Sequence, residues 1–327
     1  MPHVSTERVP CCPICKSNAK QFWALAHDRL YQTTAQEFEY SKCLDCGSLY
    51  QSLRPVNPDI WKCYPNNYGP HGRSHGQKTL TKMPRWLNGI ANQLADRIVG
   101  APVFRQRISE IEENLKHTNL MLDFGCGAGK YLDRARKFGC LTVGMDFSPQ
   151  ALEQVRARGH RALPVEESSW EALGVGTVGF VRMNHVVEHL YDPEKVLRMI
   201  YSAISPGAIL HLSTPNPNGP SAIRYRSSWF SLECPRHIVL IPPERAVLIL
   251  QSLGYSQIEV LHEPIAKDIV RSWAYTLVDR GILSNNIVGG LAGDGLLNLW
   301  FGRQIVAAMK RGEATDRYHI IARKMAS

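Results

Sequence analysis

From residue 119 onward, short apolar runs alternate with amphipathic stretches: NLMLDF, YLDRARKF, LTVGMDF, ALEQVRARG, TVGFVRMN, PEKVLRMIYSAI and AILHLSTPN follow one another. A strand-helix alternation of this kind predicts an α/β fold with a parallel sheet covered on both faces. Ligands bind such sheets at the carboxyl ends of the strands. Upstream, Leu87, Ile90, Leu94 and Ile98 recur at helical spacing, as do Phe104, Ile108, Ile111 and Leu115, so two helices lead into the sheet. Downstream, 245–253 reads as a helix, YSQIEVLHE as a strand, 265–312 as a mostly helical insert and RYHIIARKM as a final strand. Residues 1–65 show little helical periodicity, and the turn-rich PNNYGPHGRSHGQ after them reads as a linker. The expected organisation is a cysteine module at 1–65, linker and lead-in helices at 66–118, a core at 119–263, and the insert with the last strand at 264–327.

A chain of 327 residues, 44% apolar, is long enough to bury two or three cores. The opening MPHVSTERVPCCPICK lacks the charged-then-apolar profile of an export signal, and no run approaches the ~18 apolar residues of a membrane span. Cytoplasmic localisation is therefore expected. A net charge of +9 admits an anionic partner. The basic residues are dispersed, however, and the densest groups, RARKFG and RARGHR, fall on outer helix faces where a solvated surface explains them.

Nine cysteines without an export signal argue for metal ligation at clustered pairs rather than a disulfide framework. Cys12 and Cys15, then Cys43 and Cys46 followed by Gly47, form two C-x-x-C knuckles about thirty residues apart. Four thiolates from two such turns make the closed tetrahedral shell of structural zinc. Cys11 competes with Cys12 for the first position, while Cys63, Cys126, Cys140 and Cys234 stand apart and read as reduced thiols. The module lacks clustered Arg and Lys interleaved with aromatics, so a nucleic-acid partner is not expected.

The segment LDFGCGAGKYL places Asp123 before glycines at 125, 127 and 129. Glycines there let the backbone turn sharply and lie against a ligand. The spacing G-x-G-x-G departs from the dinucleotide fingerprint G-x-G-x-x-G, and no G-K-S/T completes a phosphate loop. The next strand, LTVGMDFS, ends at Asp146, placed to accept hydrogen bonds from both ribose hydroxyls of an adenosine cofactor. A plain helix cap is the alternative use of Asp146.

With these motifs in order, together with MNHVVEHLYDP and SPGAILHLSTPNPNG, the segment 119–263 and the last strand resemble a class I S-adenosylmethionine-dependent methyltransferase with a Rossmann-like sheet. The resemblance implies that Gly125, Gly127 and Gly129 lie along the methionine part of the cofactor, Asp123 near its amino group, and Asp146 on the ribose. It adds Asn184, at the end of the fourth strand, to the cofactor set. Glu166 and Glu167 approach the adenine or are surface acids.

His185, Glu188 and His189 in HVVEH match the H-x-x-E-H pattern of a zinc peptidase. Asp192-Pro193 interrupts the helix a peptidase needs, and the resemblance places the stretch after the fourth strand, as in ubiquinone-pathway and sugar-modifying methyltransferases. There the three residues either hold a divalent metal, supply a general base, or cap and tie the loop. In WFSLECPRHIVLIPPE the resemblance makes His237 the first choice of base. Arg236 either grips an acidic group of the substrate with its planar fork or makes an internal ion pair.

CLDCGSLYQSLRPVNP, followed by KCYPNNY, resembles the cysteine module on methyltransferases of polysaccharide and deoxysugar pathways. The expected activity is methylation of a small molecule, such as a sugar, nucleotide-linked sugar or secondary metabolite, at oxygen in preference to carbon. An RNA methyltransferase and a non-catalytic adaptor are the alternatives. The apolar NNIVGGLAGDGLLNLWFGRQIVAAMKRGE packs in the core, forms a lid or dimer contact, or rests on a membrane surface; Asp294 and Arg303 argue against a span. Oligomeric state is not legible.

Overall fold

A computed structural model describes residues 3–65, 68, 84–311 and 314–325. Of the expected linker PNNYGPHGRSHGQ, all but Pro65 and Tyr68 lies outside the described residues. The chain divides into two compact units, each assembled from separated stretches.

The first unit comprises 1–105, 215–242 and 262–317. It opens with strands β1 (Thr6–Arg8), β2 (Lys20–His27), β3 (Glu37–Cys43) and β4 (Leu49–Pro55), followed by helix α1 (Arg85–Ile98). The four strands form an antiparallel sheet in the order β1-β4-β3-β2. Alternate residues of β2 and β3, including Trp23, Phe38 and Tyr40, turn inward, as expected of a sheet with one solvated face.

The second unit comprises 106–214, 243–261 and 318–327. Helix α2 (Ala101–Glu112) crosses the division, and the alternation then runs β5 (Leu120–Phe124), α3 (Lys130–Arg136), β6 (Leu141–Asp146), α4 (Pro149–Ala157), β7 (Arg161–Pro164), α5 (Glu167–Leu173), β8 (Val178–Asn184), α6 (Pro193–Ala203) and β9 (Ile204–Pro215). Five of these strands lie parallel, β7-β6-β5-β8-β9. With β11 (Tyr255–Glu263) and β12 (Arg317–Lys324) the sheet has seven strands, ordered β11-β12-β9-β8-β5-β6-β7. Helix α8 (Pro243–Ser252) precedes β11. Met121, Phe180, Ile209 and Ile321 share one face of the sheet and pack with Leu115, Leu132 and Val155 from the helices. This is the α/β fold expected from the alternation.

The chain returns to the first unit with α7 (Pro220–Tyr225), the short strand β10 (Val239–Leu240), α9 (Ala266–Asp279), α10 (Val288–Ala292) and α11 (Gly295–Lys310). β10 pairs antiparallel with β4 and so extends the cysteine module's own sheet. Phe38, Tyr40, Trp229, Val270, Ala274 and Phe301 form one apolar cluster. Burial of those side chains together is why the unit draws on three stretches and does not follow the linear boundaries at 65, 118 and 263.

Helix α1 forms where the periodicity places it, but its burial is inverted. Leu87, Ile90 and Leu94 are 41%, 53% and 46% exposed, whereas Ala91 and Ala95 are buried. The cause is a small-residue seam. A Cβ on Gly295 would lie 2.6 Å from the Ala91 Cβ, and one on Gly302 would lie 3.1 Å from Val99, so α1 meets α11 through its smallest side chains.

Arg236 is fully buried. Its Nη1 and Nη2 donate to the two carboxylate oxygens of Asp28 at 3.0 and 2.8 Å, Nη1 also donates to the Cys63 carbonyl at 2.8 Å, and Nε donates to Glu233 at 3.1 Å. The internal ion pair is thus the use made of Arg236. Burial by itself raises the Asp28 carboxyl, but the hydrogen bonds and charge of Arg236, with two hydrogen bonds from Thr33, outweigh it and hold the carboxyl below its ordinary 3.8. Replacing Arg236 with Met leaves that carboxylate buried and uncompensated, and should cost about 3–5 kcal/mol in urea unfolding at neutral pH. Because the folded value is depressed, the pair's stabilisation is complete above the ordinary carboxyl range and is lost as pH falls through the folded value. The stability gap between wild type and Asp28→Asn should therefore shrink as unfolding is repeated below about pH 4.

Candidate functional site

The turn after β5 is built from glycines with backbone angles that other residues avoid. Gly125 has φ +75° and Gly127 has φ +50°. At Gly125 a Cβ would meet the Val186 Cγ2 at 2.3 Å, so the loop lies directly against the segment after β8. At Gly127 the space is open, with nothing within 4 Å, and the backbone there faces room for a ligand. Gly129 stands at the start of α3.

Asp146 ends β6 and ties this loop to its own. One carboxylate oxygen accepts from the Gly127 amide at 2.8 Å and the other from the Ser148 amide at 2.8 Å. Helix α4 is capped by the Ser148 hydroxyl, which accepts from Ala151 N, so the cap does not account for Asp146. A half-buried carboxylate beside a glycine turn at the carboxyl end of a parallel sheet matches the chemistry of a ribose diol. Phe147, directly after it, is 61% exposed and packs edge-on to Phe124, which stacks on Trp170.

Asp123 is 1% exposed, and its Oδ1 accepts from Arg182 Nη1 at 3.2 Å. Burial raises the Asp123 carboxyl above its ordinary value although Arg182 opposes the shift. The Arg182 guanidinium lies 4.0 Å over the ring of Tyr131, the second residue of α3. Sequence reasoning missed Arg182; a lone cation inside the apolar strand TVGFVRMN was the available signal.

After β8 the chain enters HVVEH. Asn184 closes the strand, and its side-chain oxygen accepts from the Ser213 hydroxyl at 2.8 Å. His185 takes φ +55° and donates its amide to the Ser213 carbonyl. Glu188 is completely buried; one oxygen meets His185 Nδ1 at 3.1 Å and the other accepts from Thr214 at 2.9 Å. Val187–His189 is a single 3-10 turn, and α6 starts only at Pro193 with Asp192 as its cap. The long metal-binding helix of a zinc peptidase is not formed here. Glu188 instead braces the loop between His185 and β9, while His189 is half-buried at the end of the turn.

His237 belongs to the first unit and is 4% exposed. Its Nδ1 lies 2.7 Å from the Ser231 carbonyl, which can only accept, so Nδ1 carries the proton of that hydrogen bond. Glu233 stands 3.8 Å from Nε2. The His237 carbonyl accepts from the Tyr40 hydroxyl at 3.2 Å and from Gln51 Nε2 at 3.1 Å. Strands β3 and β4 of the cysteine module therefore hold this histidine's backbone.

Cys12, Cys15, Cys43 and Cys46 come together, with all four Sγ atoms within 4.8 Å of one another. Cys12 and Cys46 are 3.6 Å apart, and Cys15 and Cys43 are 3.4 Å apart. Zinc-thiolate bonds of about 2.3 Å put tetrahedral sulfurs at about that spacing, so the donor set fits the ion. Cys11 is not in the group.

A profile described as a methyltransferase domain matches residues 99–260. A ubiquinone biosynthesis O-methyltransferase of Bordetella avium is 30% identical over 128 residues, 37% of this chain and 52% of that one. Its counterpart from Cereibacter sphaeroides is 24% identical over 242 residues, 68% of this chain and 90% of the relative. The chain thus spans about half the length of the Bordetella relative it matches. Among solved structures, a SAM-dependent methyltransferase from Archaeoglobus fulgidus aligns with a TM-score of 0.48 at 20% identity, covering 68% of this chain and 94% of that one. The sheet thus carries a glycine turn and a strand-end acid together at the carboxyl ends of its parallel strands. With the profile match, residues 99–260 are a class I S-adenosylmethionine-dependent methyltransferase domain.

Gly125→Ala should destabilise the protein by about 2–4 kcal/mol, through left-handed strain and the collision with Val186. Thermal unfolding should show part of that loss recovered when Val186→Ala is added, since the second change relieves the contact and not the backbone angle.

Proposed function

We propose that this protein transfers a methyl group from S-adenosylmethionine to a hydroxyl of a small molecule, a sugar, nucleotide-linked sugar or other secondary metabolite. The observation that carries the reading is Asp146, whose carboxylate is held by the Gly127 and Ser148 amides beside an open glycine turn. Gly125, Gly127 and Gly129 line the methionine part of the cofactor, Asp123 and Asn184 lie at its amino-acid end, and Asp146 takes the ribose. The cofactor, when bound, supplies a methyl group activated by a sulfonium.

The chain's own contribution is to hold the acceptor and to remove its proton. We assign the base to His237. Its Nε2 receives the hydroxyl proton as the new C–O bond forms and the S–C bond breaks, and Glu233 stabilises the resulting imidazolium. His189 is the second candidate. His185 and Glu188 act by shaping the loop, since one oxygen of Glu188 meets His185 within it and the other meets Thr214 of β9.

The four-cysteine cluster is read as a structural zinc site. Cys43 ends β3 and Cys46 and Gly47 turn the chain into β4, so the ion fixes the hairpin that carries Tyr40 and Gln51. Through those residues it supports His237.

Asp146→Ala should weaken S-adenosylmethionine binding about tenfold to a hundredfold by calorimetry, as loss of charge-assisted hydrogen bonds implies. His237→Ala should keep cofactor affinity and reduce methyl transfer to a small-metabolite fraction by a factor of about 10²–10⁴. Unchanged affinity in the Asp146 variant would remove the assignment of that site. Metal analysis should find one zinc per wild-type chain and much less in Cys43→Ser, with a lowered unfolding temperature.

A further inference from the structure

We propose that the exposed face shared by α1 and α11 is a docking surface for an anionic lipid bilayer, against which the protein lies peripherally. Both helices belong to the first unit.

The face follows from the seam between the helices. Gly295 lies against Ala91 and Gly302 against Val99, so the two helices run parallel with their small residues in contact. On α1, Ile90 and Leu94 stand one position before the seam residues Ala91 and Ala95, and Leu87 and Ile98 continue the stripe by a turn at either end. On α11, Leu296 and Arg303 stand one position after the seam residues Gly295 and Gly302, and Trp300 is a turn beyond Leu296. Each residue turns a helix by about 100°. A step back on one parallel helix and a step forward on the helix facing it point to the same side, so the two stripes adjoin.

That side is apolar and cationic. Trp86, a turn before Ile90, is 68% exposed and Trp300 is 55% exposed, and Leu296 is exposed like the stripe of α1. Helices of a water-soluble protein ordinarily turn their large apolar residues inward. Here the alanine and glycine seam keeps them outside, and they form a contiguous patch of the kind that marks an interaction site. Arg97, two turns after Ile90, and Lys310, two turns after Arg303, are exposed along the same side, as is Arg303 itself. Residues 295–310 contain no acid. The one acid of α1, Asp96, follows Ala95 across the seam, so it points to the other side, where it pairs with Arg105 at 2.8 Å.

The charge pattern selects the occupant. In a two-fold contact between copies of this chain the face would meet itself, and Arg97, Arg303 and Lys310 would confront equal charges with no carboxylate between them. An anionic bilayer supplies negative headgroups to the cations and hydrocarbon to the leucines and isoleucines, while a tryptophan ring suits the boundary between the two. Among the described residues no helix is long and apolar enough to cross a membrane, and this contact needs none.

Co-sedimentation of the full chain with lipid vesicles tests this, using phosphatidylcholine alone and phosphatidylcholine with about one third phosphatidylglycerol. The wild type should bind the anionic vesicles at least about tenfold more tightly, and roughly 0.5 M salt should release most of it. Trp86→Ser with Trp300→Ser should weaken binding to anionic vesicles by about tenfold or more through lost apolar contact. Arg303→Gln with Lys310→Gln should erase most of the preference for anionic over neutral vesicles. All four side chains are exposed, so thermal unfolding of both variants should match the wild type. Wild-type protein left in the supernatant with anionic vesicles would overturn the inference without any variant. So would vesicle binding that neither pair of substitutions weakens. A concentration-dependent dimer in sedimentation velocity, abolished by the tryptophan substitutions, would assign the face to a second copy and overturn it as well.

Discussion

The fully buried guanidinium of Arg236 is the constraint on which the first unit is arranged. It grips both oxygens of Asp28 at the end of β2, the carbonyl of Cys63 and the side chain of Glu233. A charge without access to water is tolerable only when its donors are met, and here each nitrogen has a partner. Segments far apart in the chain are held in one place as a result. The segment it fixes contains His237, and Gln51 adds to the hold by donating to the carbonyls of Pro235 and His237. The cysteine cluster lies at the turn between β3 and β4, the strands that carry Tyr40 and Gln51. The hairpin that follows the knuckles thus holds the backbone of His237.

In the second unit the equivalent constraint is steric. Val186 leaves no room for a side chain at position 125, and the Gly127 amide is committed to Asp146. The glycine loop is thereby fixed by the neighbouring strand ends. This is how a backbone surface can be shaped for a ligand in advance of binding. The loop after β8 is braced in a similar way by Glu188, whose buried carboxylate meets His185 and Thr214.

Much of this was legible in the sequence because the signals are local. The alternation of apolar runs specified the sheet, the glycine spacing marked a sharp turn that Asp146 holds through the Gly127 amide, and the two C-x-x-C pairs specified the cluster that the fold brings together. Features that depend on distant partners were not legible. Periodicity located α1, but it did not reveal that Ala91 and Ala95 face glycines some two hundred residues away and leave the larger side chains outside. Nor did it show that 215–242 and 262–317 belong with the amino-terminal sheet, since β10 is only two residues long and carries no pattern of its own. The partner of Arg236 is 208 positions away, so its two readings could be separated only in three dimensions. Arg182 was visible as an oddity in an apolar strand and became interpretable once Asp123 stood beside it.

The central claim, a methyltransferase acting on a small molecule, is tested most directly by supplying S-adenosylmethionine with a labelled methyl group to the protein in a cell extract. The extract is then separated into RNA, protein, lipid and small metabolites. The account predicts label in the metabolite or glycan fraction, dependent on the added protein. Label confined to RNA and abolished by nuclease would contradict it, and would make the cysteine module a nucleic-acid reader after all.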